Sequence, residues 1–133
     1  STTAVFITSL SKSSITTFNA SIVGGVLYLS KYFLISLTKK LGLSARKTGE
    51  IIVKFTKRMP NGFGDALGIC EGDPTEAVIH IAKKQTYFEQ MRTLAHEMVH
   101  AKQFMRGQYP SEREAVKMEF DLFGRCFPWE RVK

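Results

Sequence analysis

The chain has 133 residues, of which 44% are hydrophobic and 23% charged, and it carries a formal net charge of +7. This length and composition are those of one globular domain and exclude a disordered chain or an array of several domains. The two cysteines, Cys70 and Cys126, form no Cys-x-x-Cys pair, which argues against a thiolate zinc site, a redox motif or a disulfide framework.

The first 17 residues are rich in Ser and Thr, and they predict a flexible arm with at best one short strand at residues 4–7. No charged stretch leads into an apolar core and a small-residue cleavage site, so we expect no signal peptide. We expect residues 18–133 to form a single domain in a cytoplasmic protein.

Residues 18–41 are the most apolar stretch of the chain. Lys31 lies in its middle and its apolar residues are periodic, so it predicts one core-packing helix and no transmembrane segment. Asn19 or Ser21 would be the N-cap, and Gly42 would end the helix. A helix lying on a membrane surface is the alternative.

Three strands are predicted next, at residues 50–57, 66–70 and 77–82, separated by turn signals at residues 60–62 and 71–74. Two reversals in sequence favour a mainly antiparallel meander. Helices are predicted from residue 87 to 106, ending at Gly107, and from Ser111 to Gly124. Ser111 and Glu114 fit a capping box. The fold class is therefore α+β.

The predicted helix from residue 87 contains the pattern His96-Glu97-x-x-His100. Side chains four residues apart lie on one face of a helix, so the two imidazoles can point at one Zn²⁺. Glu97 is rotated by about 100° from His96. Its carboxylate can therefore reach a metal-activated water as a general base without becoming a ligand.

A catalytic zinc keeps three protein ligands, and no histidine follows His100. A carboxylate from the last helix is therefore expected. An antiparallel helix would bring a side chain of its first turns back towards His100, which favours Glu114 and then Glu112. The full set of candidates is Glu112, Glu114, Glu119 and Asp121.

The run of residues 94–103, followed by Glu112-Arg113-Glu114-Ala115, resembles the minimal gluzincin-type zinc metallopeptidases. These are the SprT-like domains and the small metallopeptidase-like proteins encoded by bacteriophages. The resemblance implies a helix, a small sheet, an active-site helix and a ligand-bearing helix, in that order. It also implies that His96, His100 and Glu114 bind zinc and that Glu97 is the general base. Residues 77–82 would form the sheet edge that lies along the substrate.

Larger gluzincins of the thermolysin type often place an Asp four residues after the ligand Glu to orient a histidine, and that position is Met118 here. The sequence therefore identifies no partner that orients the imidazoles. His80 and Tyr109 are the only near candidates for an oxyanion or substrate-side role.

Three functions are compatible with these features. The first is a zinc metallopeptidase acting on a peptide or protein. The second is a structural or assembly protein, such as a component of a phage particle, that keeps the fold; a phage protein would reside in the host cytoplasm or the virion. The third is a DNA-associated SprT-like protease, because residues 39–58 carry a net charge of +6, with one acid, Glu50, and seven bases: Lys39, Lys40, Arg46, Lys47, Lys54, Lys57 and Arg58. An acidic protein is the other partner that this segment would suit.

Overall fold

A computed structural model describes residues 2–6, 18–23 and 28–131 of the chain. The described chain contains five strands, three α-helices and one short 3₁₀ helix. In order they are β1 (Thr2–Phe6), β2 (Phe18–Val23), α1 (Tyr28–Lys40), β3 (Gly49–Thr56), β4 (Gly68–Asp73), β5 (Glu76–Ala82), α2 (Tyr87–Met105), α3 (Glu112–Cys126) and the 3₁₀ turn at Trp129–Arg131.

The strands form one mixed sheet in the order β1-β4-β5-β3-β2, so the fold is α+β as expected. Among the five described strands only β4 and β5 pair antiparallel, through a tight turn after Asp73, and the other neighbours are parallel. The predicted antiparallel meander is therefore wrong. The turn at Pro60 does form, with Phe63 donating its N–H to the Pro60 carbonyl. It lies inside a long connection, however, which carries the chain past β5 before β4 begins.

β5 lies in the middle of the sheet, between β4 and β3. The expectation that residues 77–82 form a sheet edge along the substrate is therefore wrong. The described edge next to β4 is β1, in which Thr2 pairs with Gly68. The short strand predicted at residues 4–7 begins two residues earlier, and the rest of the predicted flexible arm, residue 1 and residues 7–17, lies outside the described residues.

The single helix predicted over residues 18–41 is wrong in its first part. Phe18–Val23 is a strand paired parallel with β3, so Asn19 and Ser21 are strand residues and not N-caps. Ala20 and Ile22 pack against the core while Asn19 is exposed. This alternation of buried and exposed side chains has a period of two, which is typical of a strand. In the sequence, the apolar residues of this strand also fit the wide apolar face of the helix that follows.

Gly42 ends α1 as predicted. Its N–H donates to the carbonyl of Lys39, and the N–H of Leu43 donates to the carbonyl of Thr38. α3, in contrast, continues past its predicted end at Gly124 to Cys126. Among the described residues no helix is both long enough and apolar enough to cross a lipid bilayer.

The core lies between the sheet and α1, α2 and α3. Its largest fully buried side chains come from every one of these helices and from the inward positions of β3 and β5. After α3, Phe127 packs its ring edge-on against Phe33 of α1, with the centroids 5.5 Å apart. This contact fixes the end of α3 against the body of the molecule, and with it the helix that faces α2.

Candidate metal centre

α2 has well-defined ends. At its start Thr86 accepts a hydrogen bond from the N–H of Glu89, and the Glu89 carboxylate accepts one from the N–H of Thr86. At its end Gly107 has a φ of 70°, and the N–H of Gln108 donates to the carbonyl of Gln103. This is the Schellman arrangement, which needs a residue without a Cβ. The helix between these caps holds its side chains in a fixed register.

His96 and His100 lie one turn apart on α2, with ring centroids 5.1 Å apart, and both are almost completely buried. Glu112, the first residue of α3, lies against both rings. One of its carboxylate oxygens is 3.1 Å from Nε2 of His96, and the other is 2.9 Å from Nε2 of His100. The three side chains form a group whose potential ligand atoms all lie within 4.8 Å of one another.

Glu114, the favoured third ligand from the sequence, lies away from the imidazoles. Its carboxylate accepts hydrogen bonds from Nε2 of Gln103, at 2.6 Å, and from Nζ of Lys102, at 3.0 Å. These two hydrogen bonds lower the pKa of Glu114. Two residues along a helix correspond to a rotation of about 200°, so Glu112 and Glu114 point to different sides of α3. The structure therefore brings Glu112 to the histidines.

The capping box predicted at the start of α3 forms only in part. Oγ of Ser111 accepts a hydrogen bond from the N–H of Glu114, as expected. The N–H of Ser111, however, donates to the side chain of Gln103 and not to Glu114. The remaining carboxylate candidate, Asp121, pairs with Arg125 on the exposed side of α3.

Each imidazole has a second polar partner on its Nδ1 atom. Nδ1 of His96 is 2.8 Å from a carboxylate oxygen of Glu119, and Nδ1 of His100 is 2.9 Å from the amide oxygen of Gln103. Such partners fix the orientation of a ligating ring and raise its basicity. Sequence reasoning named Glu119 only as a possible ligand and missed Gln103. The helical spacing of both residues could have identified them as partners of the imidazoles. Gln103 follows His100 by three residues, and Glu119 follows Glu112 by two helical turns.

The hydrogen bonds of Gln103 determine which nitrogen of His100 carries the proton. Its amide oxygen accepts from the backbone N–H of Ser111, which can only donate, and its amide nitrogen donates to Glu114. Nδ1 of His100 therefore has to donate to that same oxygen. In a neutral ring Nε2 then presents a lone pair, and it faces an oxygen of Glu112 that is also an acceptor.

Lone pairs of the imidazole nitrogens and of the carboxylate oxygens face one another, so a positive charge is needed between them. His96 has a carboxylate oxygen at each of its nitrogens, and His100 presents its lone pair to Glu112. A divalent cation bound by both Nε2 atoms and the Glu112 carboxylate would supply that charge. Zinc bonds of about 2.0–2.2 Å in a tetrahedral arrangement separate ligand atoms by about 3.4 Å. The two Nε2–carboxylate distances, 3.1 and 2.9 Å, lie near this separation. The donor set of two imidazoles and one carboxylate fits zinc.

Glu97 is completely buried, and neither carboxylate oxygen has a hydrogen-bond partner among the described residues. Burial, followed by the negative charges of Glu112 and Glu119, raises the pKa of Glu97 well above its usual range. A buried carboxyl without partners is costly and marks a functional position. A cation held by the adjacent His96 would offset both causes of this shift.

The main chain of β4 lies directly against Glu97. A Cβ atom added to Gly68 would be 2.5 Å from Cγ2 of Thr93 and 3.1 Å from Oε2 of Glu97. These distances are too short for any side chain larger than hydrogen. A glycine at the start of β4 therefore leaves the space that the Glu97 carboxylate occupies.

The two side chains considered for an oxyanion or substrate role have different surroundings. His80 lies on the sheet face opposite α2, because its neighbours Ile79 and Ile81 are the β5 residues that join the helical core. Burial and the charge of Lys54 lower the pKa of His80. The structure therefore separates His80 from Glu97. Tyr109 is 86% exposed in the connection between α2 and α3, and its role stays a prediction.

The basic residues 39–58 do not form one continuous patch. Lys39 and Lys40 end α1, and Lys57 and Arg58 follow the far end of β3, whose eight residues span about 26 Å. Arg46 contributes to the fold, because its guanidinium donates hydrogen bonds to the carbonyls of Thr48, Pro74 and Met105. Part of the positive charge therefore serves the fold.

Comparisons with models of protein families, with curated proteins and with solved structures found no match to this chain.

Proposed function

We propose that the protein is a zinc-dependent peptidase. The observation that carries this proposal is the convergence of Nε2 of His96, Nε2 of His100 and the carboxylate of Glu112, beside a buried carboxyl, Glu97, that has no hydrogen-bond partner among the described residues. Two imidazoles and one carboxylate leave a fourth position of a tetrahedral zinc ion open, as a catalytic site requires.

His96, His100 and Glu112 would hold the ion, and Glu119 and Gln103 would orient the two rings through Nδ1. When bound, zinc supplies a Lewis acid that polarises a scissile carbonyl and lowers the pKa of water. Glu114 would act on His100 indirectly, because its carboxylate fixes the amide of Gln103.

Glu97 would move the proton. It lies next to His96 on the helix, where burial and the nearby charges of Glu112 and Glu119 raise its pKa. From there its carboxylate would accept a proton from the attacking water and return it to the leaving amine. Gly68 leaves room for this carboxylate, because a Cβ atom at that position would lie 3.1 Å from Oε2 of Glu97.

The experiment compares wild type with Glu97→Gln, using Glu130→Gln on the exposed 3₁₀ turn as a matched control. We expect one zinc per chain in all three proteins. Hydrolysis of a denatured-protein substrate should fall by about 10²–10⁴-fold in Glu97→Gln alone, which is the usual contribution of a general base. A His96→Ala protein that retains full zinc content would contradict the metal site. Retained zinc without hydrolysis of any peptide pool would favour the assembly role.

A nucleic-acid partner is a second candidate, and one surface feature favours it. Lys39, Lys40 and Arg125 line a common open groove between α1 and α3. Binding of single- or double-stranded DNA through this groove would weaken steeply with salt. It would also weaken in a Lys39→Ala/Lys40→Ala variant. Absence of binding at low salt would remove this candidate.

A further inference from the structure

An apolar surface begins beside the candidate metal centre. Val116 and Phe120 follow Glu112 on α3 at intervals of four residues, so the three side chains lie along one side of the helix. Val116 is 52% exposed and Phe120 is 63% exposed. Large apolar side chains with this much exposure, next to one another and next to a polar site, are typical of an interaction surface.

The ring of Phe120 is held by the same residues that orient the site. The guanidinium of Arg92, on α2, lies over the Phe120 ring, 5.1 Å from its centroid. Nε of Arg92 is 3.5 Å from one carboxylate oxygen of Glu119, and the other oxygen is 2.8 Å from Nδ1 of His96. The exposed ring is therefore linked through Arg92 and Glu119 to a candidate ligand.

Two further exposed aromatic side chains are Phe88 on α2 and Trp129 after α3. Phe88 lies one turn before Arg92 and is 46% exposed, and it stacks on Trp129, which is 45% exposed, with ring centroids 6.1 Å apart. Val116, Phe120, Phe88 and Trp129 together are called the apolar strip below. Aromatic side chains lose little conformational entropy when they bind, which suits them to hold a partner.

We propose that the apolar strip binds a large apolar side chain of an extended polypeptide substrate, beside the peptide bond presented to the metal centre. This inference rests on the proposed peptidase function and names its substrate class: unfolded or extended segments rich in large apolar residues. The occupant is a substrate because Val116, the first residue of the strip, lies one helical turn from Glu112, whose carboxylate is half-exposed. A permanent partner covering Val116 and Phe120 would also cover the site.

The test uses the whole 133-residue chain as a zinc-loaded Glu97→Gln variant, which we expect to bind peptides without cleaving them. The probes are two fluorescein-labelled nonapeptides of Gly, Ala and Ser that differ only at the central position, Phe or Glu. Binding is followed by fluorescence anisotropy in the parent and in a Val116→Ser/Phe120→Ser variant. Ile35→Ser is the control, because Ile35 is 43% exposed on α1.

The parent should bind the Phe peptide more tightly than the Glu peptide. The Val116→Ser/Phe120→Ser variant should bind the Phe peptide about tenfold more weakly, which corresponds to burial of part of one aromatic side chain. Its zinc content and its affinity for the Glu peptide should stay unchanged. Ile35→Ser should behave as the parent.

Three outcomes would overturn the inference. If zinc binds and peptides bind or are cleaved, but the Val116→Ser/Phe120→Ser variant keeps the preference for Phe, the apolar strip has no substrate role and the peptidase proposal survives. If the chain dimerises and these substitutions abolish dimerisation, the strip is an interface between two copies. If the wild type takes up no zinc and binds neither peptide, the peptidase proposal fails and the inference fails with it.

Discussion

The side-chain amide of Gln103 joins His100 to the start of α3. Its oxygen is 2.9 Å from Nδ1 of His100 and also accepts the backbone N–H of Ser111 at 2.9 Å. Glu112, the residue that faces both imidazoles, follows Ser111 directly. One amide therefore sets the direction of a histidine and the position of the carboxylate opposite it.

This relationship predicts the effect of removing the amide. Gln103→Leu keeps the volume of the side chain but removes the four hydrogen bonds that its amide makes with His100, Ser111 and Glu114. Zinc affinity should therefore fall by about 10–100-fold. Glu119→Gln, which weakens the partner of His96, should have a similar effect. Competition with a fluorescent zinc chelator measures both, with exposed Gln108→Leu as the control. Unchanged affinity in both variants would contradict the orienting roles.

Glu112 and Glu114 provide a matched pair that identifies the third ligand. Glu112→Gln removes the carboxylate facing the imidazoles, and zinc affinity should fall by more than the roughly 10–100-fold expected for an orienting residue. Glu114→Gln keeps one acceptor oxygen, for Gln103 or for Lys102, and leaves the Glu112 carboxylate in place, so most of the affinity should remain. Equilibrium dialysis with elemental analysis distinguishes them. The reverse order of affinities would restore Glu114 as the ligand.

The sequence predicted the helices around the site well because their signals are local. Gly107 and Ser111 mark the end of α2 and the beginning of α3, and both act in the structure as glycine and serine do at helix ends. The i, i+4 spacing places His96 and His100 on one face for the same reason. Backbone geometry alone determines these features, so no knowledge of the tertiary structure is needed.

The sheet and the third ligand depend on contacts between distant residues. β3 pairs with β5 and not with β4 because of the path that the connection between β3 and β4 takes. The sequence of this connection has no hydrophobic periodicity that would predict its path. The choice between Glu112 and Glu114 depends on the rotation of α3 about its axis, which Gln103 and Lys102 fix from another helix. Neither the connection nor the rotation leaves a pattern in a single sequence.

The close approach of Gly68 to Glu97 predicts that a substitution in β4 affects Glu97. In Gly68→Ala the new methyl group would meet Thr93 and Glu97 at 2.5 and 3.1 Å, so stability should fall by about 1–3 kcal/mol and hydrolysis should fall as well. Gly64→Ala is the control, because nothing lies within 4 Å of its added Cβ. It should change the free energy of unfolding by less than about 1 kcal/mol. Urea denaturation measures both, and equal effects would contradict the close approach.

Arg46 and Lys47 are adjacent bases with different expected roles. Arg46→Ala removes hydrogen bonds to the carbonyls of Thr48, Pro74 and Met105, and it should destabilise the fold by about 1–3 kcal/mol. Lys47 is exposed, so Lys47→Ala should change the stability by less than about 0.5 kcal/mol. Thermal unfolding followed by circular dichroism measures the difference. Equal effects would show that Arg46 is not structural.

Because of its two buried thiols, we expect the free energy of unfolding of this protein to fall at alkaline pH. Burial, followed by the charges of Glu97 and Glu71, raises the pKa of Cys70 well above its usual range, and burial raises the pKa of Cys126. In the unfolded chain a thiol has a pKa of about 8.5. The folded state therefore keeps protons that the unfolded state loses, so the stabilisation is complete below about pH 8.5 and is lost as the pH rises above it.

Two measurements check this prediction. Native protein at pH 8 should react with a thiol reagent at least about a hundredfold more slowly than protein unfolded in guanidinium chloride, because both groups are buried and protonated. The free energy of unfolding should fall between pH 8 and pH 10, and a Cys70→Ala variant should show a smaller fall. Rapid labelling of Cys70 in the native protein would contradict its burial between the sheet and the helices.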